Sequence, residues 1–256
     1  VRKGIRIYRR GNAGKWQLSQ MLPAPELGGT HHLQGGMAFT SHGRYLFVGA
    51  PASSLHHRGE GAVLVYALGL DERFPETPEY VSLGVAGAKL GKSLALSGND
   101  KVLAAGAVSP GGDNEIHVYD VDDGRLSHVQ TISTPTGFDH ERRDFNFAHG
   151  FSISHDGTRL LSGGSAYMIR TAFHITDWGT KVMLYRRFPE IGQFKPILMN
   201  RLGGVDFSIH DAPSYMCTSI SPSGEELFLG TSGVSKSVGL RRISFDNGSL
   251  SVFTLP

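Results

Sequence analysis

Eight of the twelve histidines fall in segments that the strand pattern leaves as connections: His31, His32, His56, His57, His140, His149, His174 and His210. Asp139, Asp144, Asp177, Asp206 and Asp211 lie among them. Imidazoles and carboxylates in company supply metal ligands and general acid–base pairs. No His-x-His or His-Glu-x-x-His spacing places two ligands on one element, so a metal site here requires distant loops to converge. Without that convergence these side chains are polar loop residues or contacts for a partner. The segment Ser165–Gly179 is unusual in another way. It carries Tyr167, Met168, Ile169, Phe173, Ile175 and Trp178 where comparable connections are polar. Aromatic residues and Met are enriched at protein interfaces; the other reading is a connection that folds back into its own hairpin. The candidate interaction face is therefore His56, His57, Tyr167, Phe173, His174, Trp178 and His210.

Other chemistry has little support. Cys217 is the sole cysteine, at the start of an apolar strand where a small buried residue is expected, and no disulfide within the chain is possible. There is no Gly-x-Ser-x-Gly elbow, phosphate loop or dinucleotide fingerprint, and no cofactor is implied. Asp120-Val-Asp-Asp-Gly124 has carboxylates, but too closely spaced for a calcium loop, and reads as a hairpin turn. Asn247-Gly-Ser249 is formally a glycosylation acceptor and also a strong hairpin signal.

These residues must be positioned by a scaffold, and the composition indicates which kind. Glycine accounts for 34 of 256 residues, about twice its usual share of roughly 7%, which without collagen periodicity means many tight turns and many short strands. A net charge of +2, with acids scattered among the doubled arginines, does not suggest nucleic acid, and no apolar run reaches the roughly 20 residues of a membrane span.

Four segments align: Gly36–Ala50, Gly91–Ala107, Gly150–Gly164 and Cys217–Thr231. Each is a short strand, a tight turn opened by a serine (Ser41, Ser97, Ser154, Ser221, at intervals of 56, 57 and 67 residues) and a more apolar strand. A third strand follows at 61–66, 115–119, 181–185 and 238–243, and a fourth at 79–83, 126–132, 194–199 and 250–255. Four antiparallel strands per unit at this period form a propeller blade. Gly4-Ile-Arg-Ile-Tyr8 matches a third strand and 16–22 a fourth. The expected fold is all-β: a single partial β-propeller over residues 1–256, comprising a half blade (1–34) and blades at 35–89, 90–148, 149–214 and 215–256. Such a ring is open, and Ile5, Ile7 and Leu18 of the half blade are candidate open-edge contacts with polypeptide beyond these residues.

At Leu46-Phe-Val-Gly-Ala-Pro51, Gly61-Ala-Val-Leu-Val-Tyr66 and Leu90-Gly-Lys-Ser-Leu-Ala95 the chain resembles the FG-GAP repeats of integrin-α-type propellers. The third and fourth repeats have Gly163-Gly164 and Gly230-Thr231 in place of Gly-Ala; WD40-like or YVTN-type blades are the second resemblance. The family often binds calcium in the first turn of a blade, but the turns here lack the carboxylates. The resemblance implies an extracellular or lumenal adhesion domain, while one cysteine also permits a reducing compartment. The functional expectation is a non-catalytic protein–protein interaction module or structural subunit, its partner another protein or a missing part of the same polypeptide. The alternative is an enzyme or ligand-binding propeller with a His/Asp site on the loop-rich face.

Overall fold

The computed structural model describes residues 4–11, 14–27, 33, 35–134, 147–148, 150–169, 176–205, 216–232, 242–245 and 248–254. They form strands and turns, with no helix among the described residues. The first sheet is a hairpin of β1 (Gly4–Arg10) and β2 (Trp16–Pro23). Three four-stranded antiparallel sheets in simple meander order follow. The second has β3 (Met37–Phe39), β4 (Tyr45–Ala50), β5 (Ala62–Ala67) and β6 (Tyr80–Leu83). The third has β7 (Leu94–Leu96), β8 (Val102–Val108), β9 (Asn114–Asp122) and β10 (Arg125–Ser133). The fourth has β11 (Gly150–Ile153), β12 (Arg159–Ile169), β13 (Thr176–Phe188) and β14 (Gln193–Val205). In the fifth, β15 (Met216–Ile220), β16 (Glu226–Ser232), β17 (Arg242–Phe245) and β18 (Gly248–Thr254), the order is β15-β16-β18-β17. β17, which overlaps the expected third strand (238–243) only at 242–243, thus lies at the outer edge, and the fourth strand pairs with the second; residues 238–241 lie outside the described residues. This is a β-propeller of four-stranded blades whose ring is not closed.

The core lies between successive sheets. Both faces of β4 and β5 are buried, because each four-residue-wide sheet is apolar above and below. One apolar layer joins Ile5, Ile7 and Leu22 of the first sheet to Leu46, Leu64 and Tyr66 of the second; another joins Phe47, Val63 and Val65 to Leu103 and Tyr119 of the third; a third joins Ile116 and Val118 to Leu160, Met183 and Tyr185 of the fourth. Tyr66, Tyr119 and Tyr185 therefore point toward the preceding sheet, and burial raises the pKa of all three phenols, that of Tyr66 to about 12. Ile5 and Ile7 belong to this internal packing. Alternation along the strand divides the expected open-edge set: the two isoleucines face the second sheet, while Leu18 is exposed on the opposite face.

Two devices weld each sheet to the next. The fourth strands β2, β10 and β14 each carry a bulge, opposite Ile7/Tyr8, Val118/Tyr119 and Leu184/Tyr185. The residue after the first two bulges is a glutamine. Gln20 donates to the Phe74 carbonyl (2.6 Å) and accepts from its N–H (3.0 Å); Gln130 does the same with Phe194 (2.9 and 2.7 Å). The backbone amide and carbonyl of Phe74, in the connection before β6, and of Phe194, in β14, are thus satisfied by the preceding sheet.

At the tight turns the hydroxyl that accepts from the closing N–H belongs to Thr40 (2.9 Å), Ser97 (2.9 Å), Ser154 (2.9 Å) and Ser221 (2.9 Å). The first repeat is therefore framed on Thr40, not Ser41. The fourth turn residue has positive φ: Gly43 (68°), Asp100 (60°), Gly157 (74°) and Gly224 (77°). Asp100 occupies a conformation that favours glycine, and its carboxylate explains why. It accepts from Ser41 N–H (2.8 and 2.9 Å) and Ser41 Oγ (2.6 Å) on the preceding sheet. Asn99 Nδ2 in turn reaches the Asp156 carbonyl (2.9 Å), and Arg159 the Gly224 carbonyl (2.5 Å), so this rim is a continuous belt.

Two expected outcomes follow from the belt and the clamp. Asp100→Ala keeps the strained φ and loses three hydrogen bonds, costing about 1–3 kcal/mol in denaturant unfolding, and Asp100→Gly costs less because glycine relieves the backbone. Gln130→Ala leaves the buried Phe194 amide unsatisfied and costs about 1–3 kcal/mol, whereas the exposed Gln17→Ala changes stability by under about 0.5 kcal/mol.

Candidate functional site

The loops between second and third strands share a rim with the connections between sheets, opposite the belt of tight turns. The best defined is 51–61, and its shape follows from hydrogen bonds. Ser54 N–H donates to the Leu27 carbonyl (2.9 Å) on the exit from the first sheet, and Gly61 N–H to the Ser53 carbonyl (3.2 Å). On its other side Gly87 N–H donates to the Arg58 carbonyl (3.1 Å), Lys89 N–H to Gly59 (2.9 Å) and Leu90 N–H to Glu60 (3.1 Å). The loop is sewn to both neighbours.

Glu60 anchors it. The residue is only 1% exposed, and its carboxylate accepts from the N–H groups of His56 (2.9 Å) and His57 (3.0 Å). Burial pushes its pKa up, but hydrogen bonds from the backbone of His56, His57 and Leu55 outweigh this and leave it below the ordinary value of 4.5. With the carboxylate turned inward to the backbone, His56, His57 and Arg58 stand exposed at the loop tip. Lys89 and Lys92 follow on the adjoining connection. The Lys92 ammonium is held below its ordinary pKa by burial and by the nearby Lys89 charge. With Arg58 at the loop tip and Lys89 on the adjoining connection both exposed, this corner of the rim is cationic.

Beneath it the backbones meet closely. A methyl group built on Gly49 or Gly35 would overlap the Gly91 carbonyl, so only glycine permits the second and third sheets to cross here.

Of the residues expected to form an interaction face, His56 and His57 are on this loop. Tyr167 and Trp178 face each other across β12 and β13, with Ile169 opposite Thr176. Residues 165–169 and 176–179 thus extend a hairpin, where a connection was expected. The antiparallel pairing of β12 with β13 takes up the described part of this run. Phe173, His174 and His210 lie outside the described residues, as do His31, His32, His140 and His149. Cys217 is exposed, not buried: β15 is an edge strand of its sheet, and Cys217 and Ser219 alternate to its exposed face while Ile220 is buried. Among the described residues, no group of three or more His, Cys, Asp or Glu could hold a metal ion.

Sequence reasoning missed one cluster of ionisable groups. Glu115 and His117, two apart on β9, share a face; Glu115 Oε2 lies 3.5 Å from His117 Nε2, and the centroid of the His128 ring lies 5.4 Å from those of both His117 (tilted, 55°) and Tyr119 (edge-on, 75°). Burial lowers the His117 pKa against the opposing pull of Glu115. Its signal was a period-two spacing inside a strand that hydrophobic counting passed over.

No family model matches the chain, and no curated protein matches it. Solved structures do. A candidate 6-phosphogluconolactonase from Bacteroides fragilis matches 88% of this chain at 15% identity and a TM-score of 0.55. A candidate 6-phosphogluconolactonase from Bacteroides uniformis matches 89% at 16% identity and 0.53. The chain spans 57% and 59% of those two chains. At this identity the matches establish the fold as a β-propeller and do not reach the FG-GAP family. They overturn the expectation of a non-catalytic interaction module, since propellers of this build carry the names of enzymes. Nor does any described helix have the length and apolarity to cross a membrane.

The anchor is testable. A carboxylate whose folded pKa is depressed stabilises the fold at pH above its unfolded value of about 4.5, and that contribution is lost as pH falls through the folded pKa. Glu60→Gln should lower Tm by a few degrees at pH 7, with the gap to the parent protein narrowing below about pH 4.5. Thermal unfolding monitored by circular dichroism across pH 3–8 reads it.

Proposed function

We propose that this chain belongs to a ligand-binding or catalytic propeller whose site lies on the loop-rich rim and takes a small anionic molecule, with sugar-derived lactones as the substrate class. The supporting observation is the sewn loop 51–61, which holds His56, His57 and Arg58 next to the connection that carries Lys89 while the Glu60 carboxylate faces away. Arg58 and Lys89 would bind the anionic group, and His56 or His57 would take the proton of an attacking water. The names of the two fold relatives fit this chemistry, as an analogy. On this reading 1–34, 35–89, 90–148, 149–214 and 215–256 are successive parts of one ring, and other blades contribute loops to the same rim. The FG-GAP-like letters then serve packing: Gly49 and Gly91 permit the close crossing of two sheets, which does not require adhesion.

Hydrolysis of a phosphorylated glucono-lactone, followed by proton release in a pH-stat, tests the reading. Acceleration over the spontaneous rate is expected, and Arg58→Gln should raise KM roughly tenfold, equivalent to about 1.4 kcal/mol of binding. The absence of both acceleration and calorimetric binding of the phosphorylated acid product would overturn it.

A further inference from the structure

We propose that the outward face of the first sheet is a docking surface for a further four-stranded propeller blade, one bearing a glutamine after the bulge of its fourth strand and a carboxylate on its third. The chain supplies its own template. In the fourth sheet Tyr185, Arg187 and Phe194 face the third sheet. Phe194 is 2% exposed with its amide clamped by Gln130, and Arg187 Nη2 pairs with Asp120 at 2.6 Å. The first sheet repeats this arrangement position by position. The bulges align Tyr8 with Tyr185, and Arg10 pairs with Trp16 as Arg187 pairs with Phe194. Arg10 Nε donates to the Gly14 carbonyl (3.2 Å), as Arg187 Nε donates to that of Gly192 (2.9 Å), each glycine at positive φ.

What differs is the cover. Trp16 is 69% exposed, Tyr8 48% and Leu18 52%, with Met21 beside them, whereas Tyr185 and Phe194 are buried. The inner edge of β1, which in other blades pairs with a second strand, has no ladder partner in its sheet. An apolar sheet face with an open edge invites an added sheet. Charge selects among occupants. Arg6 and Arg10 share this face, so a second copy docked face to face would oppose arginine to arginine, whereas a blade carrying an acid where Asp120 stands would repeat the Arg187 pair. This surface is independent of the ligand site on the rim.

The test uses Trp16 as its own probe, in a Trp178→Phe background. In residues 1–256 alone, its emission should be red-shifted and freely quenched by acrylamide. In the protein as isolated from its source, it should be blue-shifted and several-fold less quenched. A photo-crosslinker at position 16 should join a peptide outside 1–256 that contains a strand glutamine. Arg10→Glu should restore quenching in the source protein while leaving the circular dichroism of residues 1–256 unchanged. Equal quenching in both forms, or crosslinks to residues within 1–256 of the same or a second copy, would overturn the proposal.

Discussion

A sheet only four strands wide and apolar on both faces cannot stand alone; each face must be covered by another such sheet. Every other feature of the chain answers that constraint. Phe47, Val63 and Val65 look one way along the ring and Leu46, Leu64 and Tyr66 the other, so the interior is a series of layers between sheets, with no single centre. Polar groups caught in those layers need partners, and the Gln20 and Gln130 clamps supply them where strand ladders end. Where backbones must approach most closely, side chains are absent: Gly35, Gly49 and Gly91.

The two rims of the ring are used differently. On one, hydrogen bonds are consumed between neighbouring turns: Asp100 with Ser41, Asn99 with Asp156, Arg159 with Gly224. That rim is structural. On the other, a buried carboxylate holds a loop whose tip leaves imidazole and guanidinium groups in solvent, next to the connection that carries Lys89. Long ordered loops on a rigid sheet are where binding resides in such folds. The anion-binding reading rests on this asymmetry between the rims.

The motifs that suggested adhesion have a physical explanation of their own. Gly49-Ala50-Pro51 and Gly91 lie where two sheets cross, and any propeller built with so tight a crossing requires small residues there. A resemblance carried by such residues reports a packing solution. It says nothing of what the loops bind, and for that reason the adhesion-type expectation failed, while the propeller, read from the four-strand repeat, held.

Period-two alternation, turn glycines and a repeat of more than 50 residues are local properties, so the blades, their strands and the half blade were legible in the residues alone. The registers were not. That Thr40 rather than Ser41 frames the first turn, that Asp100 stands in for glycine because it reaches the preceding turn, and that β18 inserts beside β16 all depend on partners far away in the chain. The site divides in the same way. His56 and His57 could be picked out as exposed loop residues, but Glu60 looked like any surface acid; its acceptor role toward His56 and His57 is local, and what buries it is the long-range sewing of the loop to Leu27 on one side and to Gly87, Lys89 and Leu90 on the other. Ile5 and Leu18 were indistinguishable as letters on an edge. Which of them is covered was decided by the bulge in β2, which sets the face each side chain takes, and by where the second sheet lies.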